Sequence, residues 1–310
     1  MPGDYAAGRM EAAQHWWGMI ENPLANLGEL SKPAAALIEK VSSAVGGIFR
    51  PYQIVRVAKA EAEAERIRAE AEIQVTDLHR RAMRRFLEEE AGKQANIERI
   101  AGSALPLLHE GSSPEEVEDD WIVNFFDKCR IISDGDMQRL WSKVLAGEAN
   151  EPGSFSRRTV NLLADLDKGD AELFVRLCSF DWLIGTLSPL VFEVNDAIYN
   201  RFNIDFSSLS HLESLGLVQF NNLTGFLRVQ LPKSFAVSYY GRSVELTLPQ
   251  DSSNQLDVGK VLLTKAGQEL APICGSKPVE GFFDFVYDRW VAGSLVPPRS
   301  SAATGSDLSS

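Results

Sequence analysis

The longest uninterrupted pattern in the chain runs from Pro51 to about Gly92, and it fits only a helix. Pro51 suits the first helical turn, where its missing N–H is no loss. The Ala, Glu and Arg that dominate the stretch are strong helix formers. Within it Val57, Ala60, Ala64, Ile67, Ala71, Val75, Leu78, Ala82 and Phe86 step by three or four residues, making one narrow apolar stripe. At about 1.5 Å of rise per residue such a helix would run about 60 Å. A small domain cannot cover that length, so the stripe from Val57 to Leu78 is expected to meet a second copy of the chain. The small Ala residues favour close helix packing. The densest basic run, Arg80-Arg81-Ala-Met-Arg84-Arg85, is bracketed by Asp77 and by Glu88-Glu89-Glu90. A solvated, internally compensated helix face is favoured there over contact with nucleic acid or acidic lipid.

A chain of 310 residues can hold two domains and at least one full core. Its formal net charge of -12 argues against wholesale coating of nucleic acid, which needs clustered Lys and Arg. Cys129, Cys178 and Cys274 are odd in number and far apart, so neither a disulfide framework nor a CxxC metal site is expected. Free thiols in a reducing cytoplasm follow. The start of the chain carries Asp4 and Glu11 and lacks the pattern of a signal peptide. The apolar run Trp182 to Val194 is broken by Gly185, Pro189 and Glu193 and falls short of the roughly 20 residues a spanning helix needs. Residues 1–50 hold short amphipathic helices at about 9–20 and 33–45. Trp16, Trp17 and Phe49 there are contact candidates, for the surface of the inner membrane or for the protein body or another subunit. The thin basic flank favours the body.

A helical arm is therefore expected over 51–110, with a further helix at 93–110 ended by Pro106. A helical core domain is expected over 111–194. In it Ser113 caps a helix begun by Pro114-Glu115-Glu116, which carries Trp121, Ile122, Phe125 and Phe126. Ser133 with Asp136 approximates a capping box for a helix with Leu140, Trp141, Val144 and Leu145 inside, and Gly147 is placed to stop it. Ser156 caps the next helix, and Asp170 caps Ala171–Cys178.

The series Asp134-Gly-Asp-Met-Gln-Arg-Leu-Trp-Ser-Lys-Val-Leu-Ala-Gly-Glu148, then Pro152-Gly-Ser-Phe-Ser156, Leu163-Ala-Asp-Leu-Asp167 and Asp170-Ala-Glu-Leu-Phe174, resembles an uncharacterised bacterial family known only as a domain of unknown function. That family is distantly similar to the Abi-alpha abortive-infection proteins, which share an acidic cap, a Leu-Trp pair and a small-residue helix end. The resemblance covers about residues 45–290, the Abi-alpha likeness about 115–270. It implies an antiviral or stress role, with a phage component or a co-encoded protein as partner. It carries over no catalytic residue, because these positions read as caps and core.

From about 195 the texture changes to α+β. Phe206 to Val218 reads as a helix stopped by Gly216 and followed by a strand. Ala236 to Leu248 reads as a hairpin turning near Gly241, and Gly259 to Leu270 as a strand and a short helix opened by Thr264. Helix, hairpin, strand and the LTxxGxxL ending resemble a winged helix over 195–293, a module that often places a helix in the major groove. The candidate recognition helix, 205–215, has no Arg or Lys. Phosphate or partner contact would rest on Arg228, Lys233, Arg242, Lys260 and Lys265. Protein contact is favoured over DNA. Phe282 to Trp290 reads as a last helix, and the Ser-, Pro- and Ala-rich residues 294–310 as a disordered tail.

No catalytic motif appears. His15, His79, His109 and His211 share no ligand spacing, and Asp134, Asp136, Asp165, Asp167 and Asp170 sit where carboxylates cap helices. No cofactor is expected. The reading is a mainly α, cytoplasmic, oligomeric protein with a winged-helix-like C-terminal part, non-enzymatic, acting through self-assembly and protein contacts.

Overall fold

The computed structural model describes residues 30–45 and 77–298. Trp16, Trp17, Phe49, the stripe from Val57 to Val75 and the end of the tail lie outside the described residues. The chain divides into two compact units, residues 1–164 and 165–310, and the fold is mixed α+β.

In the first unit, α1 (Lys32–Val45) buries Ala34, Leu37 and Val41, one stripe of a helix. Helix α2 spans Asp77–Ala104. This corrects the expected separate helix at 93–110: Gly92 sits in open surroundings inside an unbroken helix, and Pro106 falls in a single 3-10 turn, Leu105–Leu107. Ser113 caps nothing, also against expectation. Pro114–Glu116 is only a 3-10 turn, the chain extends at Val117, and α3 (Asp119–Cys129) begins after it. Burial of Val117, 2% exposed, holds that break in place.

Helix α4 (Gly135–Asn150) is capped by Asp134, not Ser133. The Asp134 carboxylate accepts from the Asp136 and Met137 N–H groups at 2.9 and 3.1 Å. Gly147 does not end the helix either; the chain stays helical to Asn150. Helix α5 (Arg157–Ala164) follows, with the Thr159 N–H on Ser156 Oγ at 3.3 Å as expected. The core is aromatic: Trp121 stacks on Phe125 with centroids 5.1 Å apart, and Trp141 meets Phe125 edge-on at 5.1 Å. A polar seam joins α2 to α4. Buried Gln138 donates to Asn96 Oδ1 and to the Ile132 carbonyl, and Ser142 Oγ donates to the Ile100 carbonyl at 2.9 Å.

In the second unit, α6 (Lys168–Cys178) opens with Asp167 as its cap, while Asp170, the expected cap, sits one turn in and accepts from the Asp167 N–H at 3.1 Å. The stretch 181–189, read from sequence as part of the helical middle, is a hairpin: β1 (Asp181–Ile184) with β2 (Thr186–Pro189). After the short α7 (Ala197–Asn200), α8 (Phe206–Ser214) is capped by Asp205 and ends at Gly216. There φ is +83°. The Gly216 and Leu217 N–H groups return to the Glu213 and Leu212 carbonyls at 2.9 and 3.1 Å, a double closure that requires the left-handed residue.

Strands β3 (Val218–Phe220) and β8 (Val261–Leu263) pair antiparallel. Between them come β4 (Leu227–Leu231), β5 (Ser234–Tyr239), β6 (Arg242–Thr247) and β7 (Asn254–Asp257). Strand β4 pairs with β7, whereas β5 and β6 join the first hairpin in a four-stranded sheet of order β2-β1-β5-β6. The β5–β6 turn is Tyr240-Gly241, both with positive φ. Helix α9 (Lys265–Leu270) is capped by Thr264 as expected, and α10 (Phe282–Ala292) closes the unit.

The sheet's anchor is Trp182, fully buried, stacked on Tyr239 and Phe283 at 5.3 Å each and edge-on to Trp290 at 4.7 Å. Residues 294–298, assigned by composition to a disordered tail, are bound. The Leu295 carbonyl accepts from the Thr247 N–H at 2.8 Å, and Val296 is buried.

Candidate functional site

Residues 77–92 of α2 are exposed without exception. Solvated helices normally carry few large apolar groups, yet Leu78, Met83, Phe86 and Leu87 here are 64%, 53%, 57% and 54% exposed. Their spacing puts Leu78, Ala82 and Phe86 in one row and Met83 and Leu87 in the next, so they share a face. The arginines pair along the helix with acids four residues away: Arg81 with Asp77, Arg84 with Glu88 at 3.0 Å and Arg85 with Glu89 at 3.3 Å. Of the stripe residues expected to form an interface, Leu78 is the described one, and it lies on this face.

The basic candidates of the second unit are dispersed and occupied. Arg228 on β4 points back to the first hairpin, donating to Thr186 Oγ1 and, at 3.3 Å, to Ser188 Oγ. Partial burial lowers its pKa. Lys233 pairs with Asp251 at 2.8 Å, Lys260 with Glu193 at 3.0 Å and Lys265 with Glu269 at 3.7 Å. Arg242 lies over the Phe283 ring at 3.5 Å, with Asp284 at 3.9 Å. The structure does not bring these cations onto one strand or helix. On α8, His211 Nε2 lies 2.6 Å from Asp170 Oδ1, and Glu213 accepts from the Phe220 N–H.

Sequence reasoning missed a buried cluster at the end of α6. The Cys178 thiol lies close enough to the Asp181 carboxyl and the Cys274 thiol for both to help hold it protonated. Asp181, 6% exposed, has no N–H or O–H donor on Oδ1. Burial pushes its carboxyl well above the usual carboxylate range, with the Cys178 hydrogen bond acting the other way. Burial likewise raises the Cys178 thiol. Around this pair the Tyr239 hydroxyl donates to the Ser179 carbonyl and accepts from the Val279 N–H, both at 2.7 Å; burial pushes that phenol up to about 12. Nothing in the spacing of residues 178, 181 and 274 signals that they meet, because the contact is made only when the loop after α9 returns to α6.

The carboxylates weighed for catalysis serve the backbone: Asp134 and the Asp167–Asp170 pair cap helices. Buried Glu148 accepts from the Gly153 and Phe155 N–H groups at 2.7 and 2.8 Å, bracing the loop after α4. Among the described residues no group of three or more His, Cys, Asp or Glu is placed to hold a metal ion. No helix among them is long and apolar enough to cross a membrane.

Among the described residues these features define an α+β protein with an exposed apolar helix face and carboxylates that cap helices. A model of the family described as "Protein of unknown function (DUF2806)" matches residues 80–287. The chain belongs to that family. No curated protein and no solved structure matches it significantly.

Proposed function

We propose that the chain is a non-enzymatic bacterial protein of antiviral defence or stress response that acts by self-association, with α2 as the associating element. The observation that carries this reading is the face of Leu78, Met83, Phe86 and Leu87, exposed among the described residues on a helix turn rich in charge. Covering it removes apolar area from water at about 25 cal/mol per Å². A second copy is the favoured occupant because the same three-and-four spacing continues upstream in the sequence to Val57. The defence role rests on the distant similarity of the family to the Abi-alpha abortive-infection proteins over about residues 115–270. The second unit is read as a modified winged helix used for protein contact, since the cations that would meet phosphates already have partners within the chain.

Light scattering on the full chain tests the association. The wild type is expected at a multiple of 34.2 kDa, and Met83→Glu with Leu87→Glu at that monomer mass with an unchanged circular dichroism spectrum. A wild type that stays monomeric at high concentration overturns the proposal.

A further inference from the structure

We propose that Cys178 and Cys274 are a redox modification site, forming a reversible intramolecular disulfide when the protein meets a hydroperoxide. Cys178 is the last residue of α6, and Cys274 follows the 3-10 turn Ala271–Ile273. The two thiols lie close enough for Cys274 to help hold Cys178 protonated. Other bonds hold them together. The Tyr240 hydroxyl donates to Ser276 Oγ at 2.6 Å and lies 3.2 Å from the Cys178 carbonyl, tying the loop after Cys274 to the end of α6. Cys274 Sγ is itself fixed 3.1 Å from the Ala271 carbonyl.

The pair is asymmetric in the way such chemistry needs. Cys274 is partly exposed and Cys178 fully buried, so the oxidant reaches Cys274 first. Its sulfur attacks the peroxide O–O bond, giving a Cys274 sulfenic acid and releasing the other oxygen as water or alcohol. The Cys178 sulfur then attacks the sulfenic sulfur. The S–S bond forms, the S–O bond breaks, and the departing hydroxide takes up the Cys178 proton as a second water. The thiols together lose two electrons and two protons, and the peroxide gains them. A dithiol reductant reverses the bond by exchange. The crosslink would close the chain from α6 to the loop after α9, around the sheet and α8, and so lock the second unit.

The full chain is exposed to hydrogen peroxide, blocked with an alkylating agent after denaturation, and mapped by mass spectrometry without reduction. The expected result is a Cys178–Cys274 linked peptide, removed by dithiothreitol, with Cys129, buried in the first unit, alkylated. Oxidation should raise Tm by about 5–10 °C in the wild type and not in Cys274→Ser. Since Cys274 is partly exposed, that variant is expected to fold; Cys178→Ala, filling the buried position with a small apolar group, is the second control. Cys274 ending as sulfinic or sulfonic acid in the wild type, a crosslink only between chains, or thiols that stay unreacted would each overturn the proposal. The readout is independent of association through α2.

Discussion

Phe155 packs directly beneath Gly147: a Cβ on residue 147 would sit 2.5 Å from its ring. The ring cannot easily retreat, because Phe155 is buried and its carbonyl accepts from Trp121 Nε1 at 2.7 Å. Alanine favours a helix over glycine by about 1 kcal/mol, so propensity and packing oppose each other here. Overpacking of this kind costs about 1–3 kcal/mol, and Gly147→Ala should be net destabilising in urea denaturation. Adding Phe155→Leu should recover part of the loss; simple additivity of the two changes would contradict the contact.

Trp141 is fully buried, and its Nε1 has no hydrogen-bond partner. Trp141→Ala should therefore cost about 3–5 kcal/mol. Trp141→Phe, which keeps an edge toward Phe125 and removes the orphan donor, should cost much less. Chemical denaturation of both variants checks the difference, and equal losses would show that the indole itself is indispensable.

Asp181 makes stability depend on pH in the unusual direction. Its folded-state pKa is raised, so between its unfolded value near 4 and the higher folded value the native state holds a proton that the unfolded chain has released. Stability contributed by this group is complete at the acid end of that window and falls by about 1.4 kcal/mol per pH unit across it. Asp181→Asn, neutral at every pH, should be more stable than the wild type at pH 7, with the advantage shrinking toward pH 4. Parallel pH–stability curves would refute the assignment.

The Tyr239 hydroxyl satisfies the Ser179 carbonyl and the Val279 N–H at once. Tyr239→Phe leaves both buried groups unmet and should cost about 1–3 kcal/mol. Hydrogen exchange at the Val279 amide should quicken locally. Unchanged protection there would mean the amide has found another acceptor.

What could be read from the sequence was whatever is decided within a few residues. The Gly216 helix end, the Ser156 and Thr264 caps and the Tyr240-Gly241 turn all depend on neighbours in the chain. Where two caps competed, the choice turned on where the helix starts, one residue apart at Ser133 and Asp134 and three apart at Asp167 and Asp170. Gly147 misled because a glycine that ends a helix and one that admits a ring look alike in one dimension. The 181–189 hairpin was hidden for a different reason: its apolar residues are buried on contact with β5 and α10, far along the chain, so local periodicity is weak. The Cys178–Asp181–Cys274 cluster, made by the same long-range closure, had no local signal.

The packing of Trp182 also sets an order of events during synthesis. The first unit has all its described elements once Ala164 has emerged, and domains fold as units from the N-terminus. Trp182 emerges soon after, but Tyr239, Phe283 and Trp290, the rings that cover it, are translated much later. Throughout that interval the run from Phe180 to Val194 is on the ribosome without its cover. The second unit is thus the half of the nascent chain that chaperones must shield, and a stall before Trp290 would release a folded helical unit trailing a sticky hairpin.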